Sequence, residues 1–518
     1  MMNSANGAES ASESRASCLR SQIVAADVRR LWYCPQMKSE PPHPPSSKAL
    51  RRAGLGCYNY LSRCWALALV AFWFAGTPLG AAEALWKAGV ARANITPTTP
   101  LLLAGYASRD KPAEGKVMEL WIKALALEDA EGHRAIVLTS DTLGIPQSIY
   151  HSVCAALKAR FGLLPEQIIL SASHTHCGPV LRGALYDMYP LDDAQRLLIE
   201  NYSAELETNI VKTIGKALAD LSPARISSGQ GSTSFAVNRR TSREADVPKL
   251  IQQGALKGPV DHAVPVLAVF LPDGKLKAVL FGYACHNTVM AFYQWSGDYA
   301  GFAQIALEKS HPEAMAMFFM GCGGDQNPLP RQKLELAERY GNMLAAGVEE
   351  VLLSPPRTLP ARLKTTMEMV NLNFGPAPTE VELEKMLQEK ALSHRNWAAR
   401  LLAQLKAGKP FIRTYPFPIQ AWRLGEAQFL ITLGGEPVVD YALKFKQEFG
   451  PQTWVAGYCN DVMTYIPSAR VLKEGGYEGG GAMIPYGQPA LRWADDVEDL
   501  ISAAVGRLIE RVKSATTN

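Results

Sequence analysis

From Trp86 onward the chain alternates short runs of strand-forming residues with amphipathic segments of helical period. This alternation is typical of α/β proteins, in which helices cover the faces of a β-sheet. We find no internal repeat of fixed period, so residues 86–515 are interpreted as one large domain. The predicted strands are Ala135–Thr139, Ile168–Ala172, Val266–Leu271, Leu276–Ala284, Ala316–Phe319, Phe429–Leu433 and Trp454–Tyr458. The predicted helices are Ile149–Phe161, Ala194–Leu221, Phe302–Lys309, Arg331–Leu353, Glu380–Leu405, Val438–Phe449 and Ala494–Val512.

Two local features refine this fold class. Residues 272–275, Pro-Asp-Gly-Lys, predict a hairpin between two of the strands, because glycine accepts the positive φ that such a turn requires. We therefore predict an α/β fold with mixed β-sheets flanked by helices. Residues 376–379, Pro-Ala-Pro-Thr, precede a helix with a mixed-charge face, so residues 376–410 are predicted to leave the main sheet as a helical excursion.

Composition narrows the function classes. Hydrophobic residues make up 47% of the chain and charged residues 20%, a profile that excludes a wholly disordered protein. The 53 Lys and Arg residues against 49 Asp and Glu leave a formal charge of +4, which is too small over 518 residues for a nucleic-acid footprint. We therefore expect no nucleic-acid partner.

Two segments precede the domain. Residues 1–48 are rich in Ser, Ala and Pro without a sustained apolar period, which predicts a disordered or spurious N-terminal extension. Residues 49–83 combine positive side chains, an apolar core and a small-residue site, the pattern of a signal peptide. Because residues 65–82 carry no charge, a membrane anchor formed by residues 64–82 is the alternative. Either interpretation predicts export of the domain to the periplasm or the extracellular space.

The domain contains five widely spaced cysteines and no Cys-x-x-Cys pair, which excludes a disulfide framework and a thiolate zinc site. They are Cys154, Cys177, Cys285, Cys322 and Cys459. We expect buried free thiols, with one or two bridges as the open alternative in an oxidising compartment. Cys285 adjoins His286, but neighbouring residues of a strand point to opposite faces, so this pair does not predict a thiol nucleophile.

Polar clusters follow four of the predicted strands. They are Ser173–Pro179, Cys285–Thr288, Gly321–Pro328 and Gly434–Glu436. In open α/β sheets the ligand crevice lies beyond the carboxyl ends of the strands, so the four clusters are expected to meet there. The pattern predicts an enzyme.

The histidines among these clusters predict a metal site. His174 and His176 are two residues apart, and alternate side chains of an extended segment share a face, so both imidazoles can address one centre. His286 follows another strand, and Glu436 supplies a carboxylate. Histidines with one carboxylate are the ligand set of catalytic zinc sites, so zinc is the predicted cofactor.

Two glycine-rich loops accompany the clusters. Gly321–Gly324 lacks the lysine of a phosphate-binding loop and the spacing of a dinucleotide fingerprint. On residue type alone, Asp325 after it could serve as a loop cap. Five glycines among residues 475–481 predict that no helix forms there. The segment is then either a pocket edge that presents Tyr477 or a flexible hairpin tip.

Together these features resemble the N-terminal catalytic domain of the neutral/alkaline non-lysosomal ceramidase family. The markers are Ala88–Pro97, Gly105–Ala107, Ser140-Asp141, Ser173–Pro179, Cys285–Thr288, Gly324-Asp325 and the stretch from Tyr465 to Tyr477. The resemblance implies one zinc ion and four protein ligands, which correspond to His174, His286, Glu436 and Tyr465. It implies catalytic roles for His176, Arg239, Asp325 and Tyr477, and substrate contacts for Asn327 and Tyr477.

The chain departs from the family pattern in two places. Asn327 stands where the family has a serine, and an amide cannot act as a hydroxyl nucleophile. Longer members of the family carry an immunoglobulin-like domain after the catalytic one, and we expect no such C-terminal domain here.

The resulting hypothesis is an exported zinc amidohydrolase that cleaves the amide bond of ceramide or a related N-acyl lipid with a metal-activated water. Association with a membrane surface stays open, because no amphipathic surface helix stands out in the sequence. Two alternatives stay open. One is a zinc esterase or amidase that acts on a non-sphingolipid substrate, and the other is a non-catalytic binding protein on the same scaffold.

Overall fold

The computed structural model of the protein describes residues 85–514. The predicted N-terminal extension and the signal or anchor segment, residues 1–48 and 49–83, lie outside the described residues. None of the helices between residues 85 and 514 combines the length and the hydropathy that a membrane span requires.

The strands are numbered in chain order. They are β1 Trp86–Asn94, β2 Gly115–Lys116, β3 Trp121–Glu128, β4 Arg134–Ser140, β5 Ile168–Ala172, β6 Ser222–Ser232, β7 Ala236–Asn238, β8 Ala263–Phe270, β9 Leu276–Tyr283, β10 Gln294–Trp295, β11 Met315–Met320, β12 Gln326–Pro328, β13 Arg357–Leu359, β14 Leu363–Asn373, β15 Thr414–Leu424, β16 Gln428–Leu433, β17 Glu436–Pro437, β18 Trp454–Ala456 and β19 Tyr465–Ile466. The helices are α1 Gln147–Phe161, α2 Asp193–Ala219, α3 Val247–Gln252, α4 Asp298–Ser310, α5 Leu334–Leu353, α6 Glu380–Met386, α7 Leu392–Lys406, α8 Val439–Phe449, α9 Ala469–Glu474 and α10 Val497–Ser514.

Two mixed sheets form the centre of the molecule. The larger has nine strands in the order β11-β9-β8-β6-β1-β3-β4-β5, with β13 also paired to β6. Its two ends are parallel, β11 with β9 and β4 with β5, whereas the strands between them pair antiparallel. The smaller sheet has the order β14-β15-β16-β18, and only β16 and β18 pair in parallel. The predicted α/β class with mixed sheets is confirmed.

The two sheets face each other across one apolar layer. Leu125 and Leu280 from the larger sheet belong to the same buried cluster as Trp422 and Leu430 from the smaller one. Helices α1, α2, α4 and α5 contribute to the cluster on the other face of the larger sheet, and α8 and α10 to the cluster on the smaller sheet. The order of layers is therefore helix, sheet, sheet, helix, and burial on both faces explains the continuous apolar runs of the central strands.

The excursion between β14 and β15 consists of two helices, α6 and α7, where the sequence predicted one continuous helix over Glu380–Leu405. Thr379 caps α6 in a reciprocal arrangement with Glu382. Trp397 of α7 is fully buried and its indole N–H donates to the Gln488 carbonyl at 2.6 Å. This bond ties the excursion to the segment that follows Tyr477.

The sequence predicted β4, β5, β8, β9, β11, β16 and β18 but missed the longer strands β1, β3, β6, β14 and β15 and all the strands of two or three residues except β18. Strand β3 consists largely of Ala, Leu, Lys and Glu, which favour helix, and becomes a strand because it pairs with β1 and β4 on its two sides. Strand β15 contains Pro416 and Pro418. Both prolines pair only with β14, because β16 joins β15 from Ile419 onward, so neither occupies a position that is paired on both sides.

The layer between the sheets generates a stability prediction. Leu280 is buried in it, whereas Leu353 at the end of α5 is 85% exposed. We expect Leu280→Ala to lower the free energy of unfolding by about 2–5 kcal/mol, because the substitution leaves a cavity between two sheets. Leu353→Ala, the matched control, should change it by less than about 0.5 kcal/mol. Urea denaturation followed by tryptophan fluorescence measures both, and equal midpoints for the two variants would contradict the layer assignment.

Candidate metal centre and active-site cleft

The predicted polar clusters meet at the carboxyl ends of the strands that precede them. Strands β17 and β19 pair in parallel, and this register sets Glu436 opposite Tyr465. Two backbone bonds hold the neighbouring loops in place: Gly324 N donates to the Pro437 carbonyl at 2.9 Å, and Asn460 N donates to the Leu170 carbonyl at 2.7 Å. The loops that carry the site are thus fixed to one another by main-chain hydrogen bonds.

His174 adopts a left-handed backbone conformation with φ of +59°, which is uncommon for a residue other than glycine. Its Nδ1 lies 2.6 Å from the Leu143 carbonyl, so Nδ1 carries the proton and Nε2 presents a lone pair. The sequence correctly predicted that His174 and His176 meet, but the reason was wrong. The segment is not extended at His174, and the left-handed turn brings the two Nε2 atoms to 3.3 Å.

His286 follows β9 and resembles His174 in its tautomer. Its Nδ1 lies 2.7 Å from the Gly323 carbonyl, which again leaves Nε2 unprotonated. Burial, together with the nearby Arg239 guanidinium, lowers the pKa of His286 to about 4. The imidazole is therefore neutral at neutral pH, the form that binds metal ions.

The Glu436 carboxylate lies between these two imidazoles. Its Oε2 is 3.2 Å from His174 Nε2 and 3.2 Å from His286 Nε2. Oε2 is fully buried and accepts no hydrogen bond from residues 85–514.

This arrangement fits a divalent cation. Two nitrogen lone pairs and a buried carboxylate oxygen converge, and such atoms repel one another unless a cation lies among them. Nitrogen from histidine and oxygen from a carboxylate form the ligand set of zinc sites. His176 belongs to the same cluster, since ligand atoms of His174, His176 and His286 all lie within 4.8 Å of one another.

Three tyrosines surround the carboxylate. Tyr465 Oη lies 2.9 Å from His286 Nε2, and burial raises the pKa of this phenol well above its ordinary value. The Tyr486 hydroxyl donates to Glu436 Oε1, the oxygen that faces away from the imidazoles. The Tyr458 ring packs against the His174 ring at a centroid distance of 4.5 Å. The backbone of Tyr458 has a φ of +56°. The sequence predicted Tyr465 but neither Tyr458 nor Tyr486.

His176 lies on the more open side of the cluster, being 8% exposed where His174 and His286 are 0% and 1% exposed. Burial, followed by the adjacent His174 and His286, lowers the pKa of His176 well below its ordinary value. The buried Arg109 guanidinium donates to the carbonyl of His176 and to the Phe292 carbonyl, at 3.1 Å for the latter. Arg109 thereby holds the histidine loop against the segment that follows His286.

A cleft of about 710 Å³ opens beside Tyr465. The Arg239 guanidinium forms its inner wall and binds three partners: Tyr465 Oη at 3.1 Å, Asn327 Oδ1 at 3.2 Å and Glu478 Oε1 at 2.7 Å. Tyr477 also lines the cleft, and the centroid of its ring lies 5.2 Å from that of Tyr465 and 6.0 Å from Cζ of Arg239. Arg239, Asn327 and Tyr477, predicted from the sequence, therefore line one cleft next to the metal cluster.

The glycine-rich segment corrects the prediction that no helix forms there. Residues Tyr477–Gly481 form a single π-helical turn, with Gly480 outside helical φ and ψ. A Cβ on Gly479 would lie 2.7 Å from the Val471 carbonyl oxygen, and one on Gly480 equally close to the Leu491 carbonyl. Glycine is required there by close backbone approach, and the turn is a packed element instead of a flexible hairpin tip.

Asp325, for which the resemblance implies a catalytic role, makes its hydrogen bonds outside the metal cluster. Its carboxylate accepts hydrogen bonds from Val439 N at 2.8 Å and from the Asn238 amide at 2.9 Å. Its backbone carbonyl accepts a bond from Arg239 N. Among the described residues no hydrogen bond joins Asp325 to the metal cluster. Asp325 fastens the start of α8 to Asn238, the last residue of β7 and the neighbour of Arg239, which makes it a positioning residue.

The cysteines add nothing to the site. All five within residues 85–514 are buried free thiols, which confirms the expectation and leaves no disulfide among them. Burial raises the pKa of Cys177 to about 12, so this thiol is protonated and a poor nucleophile.

Four residues that the sequence did not predict contact the predicted site residues and hold them in place. They are Arg109, Tyr458, Glu478 and Tyr486. Glu478 lies inside the glycine-rich segment already singled out, and its charge beside Tyr477 was the available signal. Tyr486 and Arg109 lie far along the chain from their partners, and no local pattern relates them.

The fold and the cluster define a layered α/β protein in which a buried histidine and carboxylate centre is linked through Tyr465 and Arg239 to a cleft. The family described as neutral/alkaline non-lysosomal ceramidase, N-terminal, matches residues 86–327. Over these residues the chain is similar to that family.

Individual relatives agree with this family. Neutral ceramidase of Pseudomonas aeruginosa is 29% identical over 239 residues, 45% of this chain and 35% of that protein. Neutral ceramidase A of Dictyostelium discoideum is 26% identical over 214 residues, 40% of this chain and 29% of that protein. The matches thus span about a third of the relatives' own length.

Solved structures show the same fold. A structure described as ceramidase complexed with C2 superposes with a TM-score of 0.63 at 20% identity, and covers 84% of this chain and 77% of that one. The crystal structure of the neutral ceramidase from Pseudomonas aeruginosa gives 0.62 at 21% identity, over 84% and 76% of the respective chains.

The Tyr486 contact generates a prediction about ion affinity. Removing the hydroxyl in Tyr486→Phe leaves Glu436 Oε1 without its donor, and loss of such outer contacts commonly weakens metal binding by about 10–100-fold. Competition with a chromophoric chelator measures the zinc dissociation constant. Tyr340→Phe removes a hydroxyl that donates to the Pro330 carbonyl at 2.7 Å and serves as the control with unchanged affinity. Equal affinity in the two variants would contradict a supporting role for Tyr486.

Proposed function

We propose that the protein is a zinc-dependent amidohydrolase that cleaves the amide bond of ceramide or a related N-acyl lipid. The observation that carries the proposal is the buried Glu436 Oε2 at 3.2 Å from two unprotonated imidazole nitrogens. The similarity to proteins named neutral ceramidases and the adjoining cleft support the proposed substrate class. Ligands to the ion would be His174, His286, Glu436 and Tyr465.

The ion, when bound, would lower the pKa of a water and polarise the scissile carbonyl. His176 performs the proton transfers in this proposal. It is neutral at neutral pH because its pKa is lowered, so its Nε2 can accept the proton of the attacking water and return it to the leaving amine. Because His176 is more exposed than His174 and His286, we assign it to proton transfer and not to the set of metal ligands.

Arg239 and Tyr477 act on the substrate from the cleft. The guanidinium is held by Glu478 and Asn327, so its charge is directed before substrate arrives, and it can stabilise the negative oxygen that develops during attack. Tyr477 lines the cleft and is 45% exposed, so its hydroxyl can orient the amide. Asn327 binds Arg239 through its carbonyl oxygen and takes no part as a nucleophile.

The first test separates ion binding from turnover. Glu436→Gln removes the charge that the cation needs, so we expect it to lose the ion and turnover together, by more than about 10³-fold in kcat/KM. Elemental analysis and hydrolysis of N-acyl-sphingosine measure the two effects. A purified Glu436→Gln protein that retains both zinc and activity would overturn the ligand assignment.

The matched variant for that test is His176→Asn. It should retain the ion and lose about 10²–10⁴-fold in turnover, because general acid–base catalysis contributes about that factor. Short N-acyl amines and esters assayed beside N-acyl-sphingosine distinguish a ceramidase from a zinc esterase or amidase with another substrate. Ligand binding without any turnover or zinc in the unmodified protein would favour a non-catalytic binding protein.

We also propose that the domain is exported. The support is the charge-free apolar stretch of residues 64–82 behind positive residues. N-terminal sequencing of protein from fractionated cells should find either cleavage near residues 80–83 or an intact anchor in the membrane fraction. Full-length protein in the cytoplasmic fraction would contradict export.

A further inference from the structure

The cleft is bordered by two surface segments that the proposed mechanism does not use, apart from Tyr477 and Glu478. These segments, here called the cleft rim, comprise residues 243–257, which include helix α3 and the loop after it, and residues 473–478. Residues 240–244 and 474–478 line the cleft, and Thr241 Oγ1 donates to the Lys257 carbonyl at 2.6 Å. Val247 packs with Leu329, which also lines the cleft. The rim therefore adjoins the entrance to the candidate active site.

Large apolar side chains are exposed on the cleft rim. Ile251 at the end of α3 is 47% exposed, and Leu256 and Tyr477 are also exposed. Helix α3 itself is held by the buried Val247, so Ile251 projects from a supported element. Exposed apolar residues around a cleft that is proposed to take a lipid mark an interaction surface.

The charge of the cleft rim that is not balanced by ion pairs is positive. Each acidic side chain there is paired: Glu244 with Arg331, Asp246 with Arg243, and Glu474 and Glu478 with Arg240. Three exposed lysines, Lys249, Lys257 and Lys473, form no ion pair within residues 85–514. The unbalanced charge of the rim is therefore positive and lies beside its apolar side chains.

We propose that the cleft rim docks on an anionic lipid bilayer, with the lysines at the headgroups and Ile251 and Leu256 at the boundary with the acyl chains. Apolar side chains combined with unpaired lysines are what interfacial binding requires. The orientation would bring the cleft to the membrane surface, and in that respect the inference rests on the proposed function. Docking itself is independent of catalysis and is tested independently.

Hydrogen exchange of the full chain, measured with and without vesicles, reports protection segment by segment. It therefore distinguishes docking of the cleft rim from any membrane binding by residues 64–82. Vesicles of phosphatidylcholine with phosphatidylglycerol should slow exchange of backbone amides in residues 247–257, and raised salt should reverse this protection. Unchanged exchange in the presence of anionic vesicles would overturn the proposal. Protection that rises with protein concentration without lipid would overturn it in favour of contact with a second copy.

A pair of matched variants supplies the control. Lys249→Glu with Ile251→Asp changes the rim, and Lys309→Glu with Ile305→Asp makes the same charge change on α4, where Ile305 is 49% exposed. Only the rim variant should lose vesicle protection at residues 247–257. Equal protection in both variants would refute docking by these side chains.

Turnover gives a second readout. The rim variant should hydrolyse N-acyl-sphingosine in anionic vesicles at least about tenfold more slowly than the α4 variant, since each lysine contributes to attraction by the anionic surface. Both should hydrolyse a water-soluble short-chain N-acyl amine equally. Absence of turnover with either substrate would count against the proposed function, while the exchange measurement would still decide docking.

Discussion

The buried Glu436 carboxylate is the constraint on which the rest of the structure depends. An ionised oxygen in a water-free interior is costly unless an opposite charge compensates it. Here the nearest groups to Oε2 are two imidazole nitrogens whose protons are fixed on the far side of each ring by the Leu143 and Gly323 carbonyls. Those rings cannot donate to the carboxylate, and a cation is what would satisfy all three atoms at once.

Backbone pairing and backbone conformation position most of the residues of this centre. Parallel pairing of β17 with β19 fixes one half, and the left-handed backbone of His174 turns its ring into the same space. Unusual backbone conformations persist when surrounding contacts over-determine them. Arg109 supplies such contacts by joining the His176 carbonyl to the segment after His286. The site is thus built by loops that are rigid because they bond one another.

The sequence predicted the parts of the site that depend on position relative to strands. His174, His286 and Glu436 each follow an apolar run, and strand ends gather by topology. Tyr465 required the family resemblance, because no feature of its own segment relates it to Glu436. Tyr486 and Arg109 could not be found, since their partners are distant in sequence. In the fold, β3 was missed because its residues favour helix while its neighbours impose a strand.

The replacement of the family serine by Asn327 is compatible with catalysis for a structural reason. The Asn327 carbonyl oxygen accepts a hydrogen bond from the Arg239 guanidinium, which also binds Glu478 and Tyr465. A serine hydroxyl could serve the same acceptor function, so the amide preserves the directed positive charge that the cleft presents. A nucleophile is not needed at this position if water attacks. What the substitution changes is the size and donor capacity of the cleft wall, and hence the head group that fits beside Arg239.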